Sequence, residues 1–398
     1  MADVADFRLD LTRPGFYLRP DYFEVLADLR AQAPVLRTLD GSWAVSRYDD
    51  IRSISRDPER FVSGRGVLIN DPLRSDGSGG LNTFSILHLD PPVHALYRQI
   101  VNRQFTPKAV SRLEGMIRRT VDEVLAAVPA DEPVDAVECL ASEIPIAVIA
   151  EMFGVGDADR AVFRRWSDAI IASPDQADAA ASAPEVGQMA EFLIAHIDSA
   201  ATEGNDLLEI LKGAELDGRP LNSIEIMGFC LTLLVAGNET TRTLLSGGME
   251  ELARCPDQRR DLALDLSQVP TAIEELLRWV TPIQAFGRTA VVDVEVGGQE
   301  IPAGDFLVML YASGNRDEAA FGPTAGRFDV HRPVTPTHVA FGFGEHLCLG
   351  ASLARLEARI FFEALLSRYP TYEVVGEPEY VPSTVVRGAS RLPVVLAP

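Results

Sequence analysis

The chain has 398 residues, 47% of them apolar and 24% charged, with a formal net charge of −22. That composition is globular with ample material for a core, and so acidic a surface excludes non-specific nucleic-acid binding because a phosphate backbone would be repelled. Four scattered cysteines, Cys139, Cys230, Cys255 and Cys348, form no CxxC pair and suggest neither a disulfide framework nor a structural zinc site.

The opening "MADVADFRLDLTR" lacks the basic and apolar regions of a secretory signal. The longest uncharged apolar run, "IMGFCLTLLVAGN" (226–238), is shorter than the roughly 20 residues that span a bilayer. A soluble cytoplasmic protein, without a membrane partner, is expected. No internal repeat is visible.

Taken in chain order, "DYFEVLADLRAQ" carries apolar residues at helical spacing, and "PVLRTLDGSWAVSRY" (34–48) alternates about Asp40-Gly41 as a hairpin. Pro91-Pro92 marks a helix start that puts His94 and Arg98 one turn apart. "AVSRLEGMIRRTVDEVLAAV" predicts a helix, and "SPDQADAAASAPEVG" (173–187) reads as an exposed loop. The longest helix starts at Asn222, a cap with Glu225 three residues on, and runs to about Cys255, where Pro256 stops it. Its middle is apolar nearly all round, which implies burial. "PTAIEELLRWV" is again helical, "AVVDVEVGGQEIPAGDFLVML" (290–310) predicts a hairpin about Gly297-Gly298, and "LPVVLAP" a closing strand.

Chemistry concentrates in four places. "FGFGEHLCLG" (341–350) sets Cys348 in a glycine-studded loop at the mouth of a helix. A cysteine there is either a small buried hydrophobe or a thiolate ligand favoured by the helix N-terminus. Gly342, Gly344 and Gly350 tolerate positive φ and close approach beneath something flat. In "AGNETT" (236–241), Ala236 and Thr240 share a face beside Gly237, and Glu239 is a carboxyl in an otherwise apolar helix. The Thr240 hydroxyl is placed to bond back four residues and bend the helix. "EELLR" pairs Glu275 with Arg278, a spacing usually found as a solvated surface pair. His94, Arg98, Arg288 and His346 form a set able to neutralise two carboxylates of a bound cofactor.

Together and in this order, these motifs resemble the cytochrome P450 family over essentially the full chain. Phe341, Gly342, Gly344, His346, Cys348 and Gly350 fit the family's cysteine-ligand loop; "AGNETT" matches its oxygen-activating motif and Glu275–Arg278 its ExxR pair. One departure stands in "FGPTAGRFDVHR" (321–332), a residue longer than the usual Pro-x-Arg-Phe arrangement, with Arg327 as candidate third member of the ExxR network.

The resemblance implies a single domain over 1–398, a mainly helical triangular prism with a smaller β-rich region around one haem b. It implies Cys348 as iron ligand and Thr240 with Glu239 as a proton relay to dioxygen, the Ala236–Gly237 gap leaving room for it. His94, Arg98, Ala236, Gly237, Arg288, Phe341, Gly342, His346 and Gly350 would line the cofactor. It also implies hydroxylation of a hydrophobic small molecule resembling a sterol, terpenoid or fatty acid. Val235, Ile283, Phe286 and Val386 are pocket candidates, with the 65–88 and 173–187 segments. Peroxide-driven, nicotinamide-driven and non-catalytic sensor or carrier members remain alternatives. No dinucleotide fingerprint or ferredoxin-type cysteine cluster is fused to the chain, so electrons are expected from a ferredoxin and its reductase. Arg98, Arg103, Lys108, Arg112, Arg118 and Arg119, against the single acid Glu114, offer a basic landing patch joined by Arg355 and Arg359.

Overall fold

The computed structural model describes residues 8–75, 85–129, 131–155, 162–163, 165–166, 184, 187–189, 191–195, 207–216 and 218–397. Most of the 173–187 segment and residues 76–84 of the 65–88 segment, both expected near a substrate, lie outside the described residues. The chain folds into two compact units: Met1–Gly79 with Ser267–Cys348 and Glu379–Ser390, and Gly80–Leu266 with Leu349–Pro378 and Arg391–Pro398. Each draws on segments far apart in sequence, so no single cut of the chain separates them.

The first unit is built on a five-stranded sheet. Val35–Arg37 and Trp43–Val45 form the expected hairpin. Phe306–Leu310 runs parallel to Trp43–Val45 and antiparallel to Ala285–Ala290, which pairs in turn with Phe61–Val62. Side chains alternate in a pleated strand. Trp43, Val45, Leu307 and Met309 accordingly join one apolar cluster, while Ala44, Phe306, Val308 and Leu310 join another. Burial on both faces explains why "FLVML" is a continuous apolar run and not an alternating one. It also corrects the long hairpin expected over 290–310. The Gly297-Gly298 turn, with φ of 57° and 80°, joins only Val294–Val296 to Gln299–Ile301, and residues 306–310 leave for the middle of the sheet. The helices Tyr22–Gln32, Tyr48–Ser55 and Val269–Val280 complete this unit's main elements.

The second unit is helical around Ser223–Arg254, a helix of 32 residues and so about 48 Å long. Asn222 caps it with a complete capping box to Glu225, and Pro256 opens a new helix, Pro256–Leu264, at the first position such a ring tolerates. The long helix packs with Glu143–Met152 and Ala351–Arg368, both of which also meet Glu114–Ala127. That last helix was expected to start near 109. It starts later because Thr106 caps a separate short helix, Pro107–Val110, followed by a 3₁₀ turn at Ser111–Leu113. Thr371–Val374, Pro393–Ala397 and Pro133–Asp135 form a small antiparallel sheet, with the closing strand central. Among the described residues no helix is long and apolar enough to cross a membrane.

Candidate active site

The cysteine loop belongs to the first unit and is held by its own backbone. Gly342 N–H donates to Val339 O (2.9 Å), Leu347 N–H to Gly344 O (3.1 Å) and Cys348 N–H to Phe341 O (2.9 Å). Gly342 and Gly344 take φ of 69° and 73°, and any Cβ at Gly344 would overlap the Ser55 carbonyl, so glycine is required there. Gly350 needs no such freedom: its φ is −82° and it caps the helix that follows. Phe343, unremarked in the sequence, lies under two guanidinium groups, Arg52 and Arg56, 4.4 and 4.5 Å from its ring centre. His346 Nε2 lies 3.2 Å from Ser63 Oγ and 3.5 Å from the Glu345 carboxylate. The loop is therefore braced against the helix Tyr48–Ser55, the following Arg56, and Ser63. Cys348 remains exposed, and Leu347 beside it is 46% exposed. Cys230, by contrast, is fully buried, which pushes its thiol well above the usual range. Of the two readings of Cys348, the buried hydrophobe is excluded by its exposure. A soft sulfur donor presented next to an uncovered apolar side chain fits haem iron and an apolar macrocycle.

Glu275 and Arg278 are not a solvated pair: both side chains are 2% exposed. Arg278 Nε and Nη2 each donate to Glu275 at 2.7 Å. Its Nη1 donates to the carbonyls of Asn315 (2.6 Å) and Ala325 (2.8 Å), and its Nη2 to that of Arg327 (3.0 Å). The third charge is Arg332, whose Nε donates to Glu275 Oε2 at 3.1 Å. Arg327 takes part only through its carbonyl, and the residue itself is exposed, so its expected place in the network passes to Arg332. Asn315 links this network to the cysteine loop. Its side-chain oxygen accepts from Val339 N–H (2.7 Å), and Val339 O accepts from Gly342 N–H.

Arg288 is buried on the strand Ala285–Ala290, where its Nη1 donates to Gly287 O (2.7 Å). Two pocket candidates of this unit meet directly, Ile283 forming an antiparallel bridge with Val386. Phe286 sets its ring edge-on to Tyr311 at 6.2 Å.

In the second unit, Thr240 Oγ1 donates to Ala236 O at 2.6 Å, the back-bond its spacing implies. Val235 is 40% exposed and Ala236 is exposed with it. Gly237 is spent on packing: a Cβ there would lie 2.8 Å from Ile149 Cδ1 of the neighbouring helix. Glu239 is buried, ion-paired with Arg242 and 3.5 Å from the Thr243 hydroxyl. Its carboxylate is thus turned one helical turn onward, while the Thr240 hydroxyl is turned one turn back. His94 is buried on the helix Val93–Asn102, with Arg98 one turn further along it.

The model of the family described as Cytochrome P450 matches residues 173–379. Cytochrome P450 monooxygenase PikC of Streptomyces venezuelae is 38% identical, across 97% of this chain and 94% of that protein. A steroid C26-monooxygenase of Mycobacterium tuberculosis is 35% identical, across 98% and 97%. A cytochrome P450 of Mycobacterium marinum, solved in complex with pseudoionone, superposes with a TM-score of 0.87 at 35% identity, covering 100% of this chain and 99% of that one. The chain belongs to the cytochrome P450 family. It is a monooxygenase that uses haem b and dioxygen.

Proposed function

We propose that Cys348 ligates the haem iron and that the enzyme hydroxylates a hydrophobic small molecule of sterol, terpenoid or fatty-acid type, with electrons from a ferredoxin and its reductase. The observation that carries this reading is the exposed thiol on a loop whose backbone is fixed by three hydrogen bonds and two glycines at positive φ. When bound, thiolate-ligated haem supplies the power to cleave dioxygen and attack an unactivated carbon. Backbone N–H groups of the loop tune the sulfur. His94, Arg98, Arg288 and His346 neutralise the cofactor's carboxylates, and Thr240 with Glu239 moves protons. Thr240 gives its own hydrogen to Ala236 O, which leaves its lone pairs to accept from an incoming donor. Glu239 supplies that proton only after its carboxylate turns away from Arg242.

A greasy substrate is supported by exposed Val235 and by the apolar Ile283–Val386 pairing. A relative named for steroid oxidation and a neighbour solved with pseudoionone point the same way. Two tests apply. Cys348→Ala should abolish the red-shifted Soret band of the reduced carbon-monoxide complex, and an unchanged band would overturn the ligand assignment. A spectral screen of sterols, terpenoids, fatty acids and aromatics for the high-spin shift should single out one of the first three classes.

A further inference from the structure

We infer that Tyr97 and Glu225 form a positioning clamp for the cofactor's carboxylates, fixing the helix that carries His94 and Arg98. The inference rests on the reading that those two residues bind the haem carboxylates.

Glu225 is the third residue of the long helix, and its capping duty needs only the Asn222 N–H, which it accepts at 2.9 Å. Its carboxylate does much more. Tyr97 Oη donates to Glu225 Oε1 at 2.8 Å, and Arg219 donates through both terminal nitrogens at 2.7 and 2.8 Å. A capping glutamate normally stands in solvent, but this residue is 2% exposed. Burying a carboxylate is costly unless several donors satisfy it, and here three elements converge to do so: the helix Val93–Asn102, the strand Arg219–Pro220 and the long helix. The Tyr97 ring completes the contact by stacking on Phe229, 5.4 Å between centres and 19° between planes.

Tyr97 stands between His94 and Arg98 on its helix, three residues after one and just before the other. Pinning it fixes both the rotation and the axial position of that helix. Polar groups that must meet two carboxylates need placement to about 0.5 Å, which a short helix of 10 residues does not secure by itself. The clamp does not switch with pH. Arg219 pulls Glu225 down to about 2, while burial and the Glu225 carboxylate push Tyr97 up to about 12.

The test uses the full-length, haem-loaded protein and measures haem transfer to excess apomyoglobin, alongside the denaturant midpoint. Tyr97→Phe keeps the stacked ring and removes one hydroxyl, while Arg219 and the cap still satisfy Glu225. It should lose haem about tenfold faster than wild type, the low end for one hydrogen bond to a charged group. In a His94→Ala/Arg98→Ala background, Tyr97→Phe should add nothing, because the residues it positions are gone. A Tyr97→Phe variant that loses haem at the wild-type rate overturns the clamp, whatever its stability. An undiminished effect in the double-variant background does the same, because the hydroxyl would then act by general stabilisation. If His94→Ala and Arg98→Ala release haem no faster than wild type, the carboxylate reading falls, and the inference with it.

Discussion

Removing Glu275 should be the most damaging single change in the first unit. Glu275→Ala strands two guanidinium groups, those of Arg278 and Arg332, whose side chains are 2% and 8% exposed. Breaking a buried pair by deleting one partner costs about 3–5 kcal/mol, and two stranded cations place this case at the upper end. A domain's whole stability is about 5–15 kcal/mol, so much of the protein should be insoluble or free of haem. Arg278→Ala is milder in charge, because Glu275 keeps Arg332 and the Asp329 N–H (2.8 Å). It nevertheless removes the donor to Asn315 O, the first step of the chain of bonds leading through Val339 to Gly342 in the cysteine loop. Haem content should therefore fall in both variants.

The control is Arg327→Ala. Only the carbonyl of Arg327 enters the network, so alanine should preserve it within about 0.5 kcal/mol. The assay is the ratio of Soret to protein absorbance in purified material, with urea unfolding of whatever folds. Normal haem content in Glu275→Ala, or losses in Arg327→Ala equal to those in Arg332→Ala, would refute the reasoning.

Three further outcomes are expected. Thr240→Ala should keep haem and substrate binding yet divert electrons to hydrogen peroxide, read as product formed per NAD(P)H consumed, and wild-type coupling would remove Thr240 from the relay. Glu357 is 2% exposed, its Oε2 has no hydrogen-bond partner, and burial pushes it from 4.5 up to about 8. The folded state therefore holds a proton that the unfolded chain releases, so wild-type stability falls by about 1.4 kcal/mol per pH unit between those values; Glu357→Gln should gain on wild type from pH 5 to 8 in urea unfolding, and parallel curves would contradict this. Arg118 and Arg359 are engaged with Glu114 and Glu363, which leaves Arg103, Lys108, Arg112 and Arg119 as the rest of the exposed basic run; reversing Arg103 and Lys108 to Glu should slow ferredoxin-supported reduction most at low salt, with substrate affinity unchanged.

What was legible in the sequence was what lies close along it. The Asn222–Glu225 cap, the Thr240–Ala236 back-bond and the Glu275–Arg278 pair all join residues three or four apart, within reach of helix geometry alone. The Asp40-Gly41 hairpin and the positive φ of Gly342 and Gly344 follow from turn chemistry in the same way. Arg332 was missed because it meets Glu275 across 57 residues, and Tyr97 because it meets Glu225 across 128. No spacing rule reports such distances. Local spacing also leaves the meaning of a pair undecided. Glu239–Arg242 and Glu275–Arg278 are both acid–arginine pairs three residues apart on buried helices. Glu275 is held from outside its helix by Arg332 and the Asp329 N–H, so turning it away would break bonds to a second part of the fold. Arg242 and Thr243 hold Glu239 from one turn along its own helix. The first arrangement suits a fixed strut. The second is a contact made within one helix.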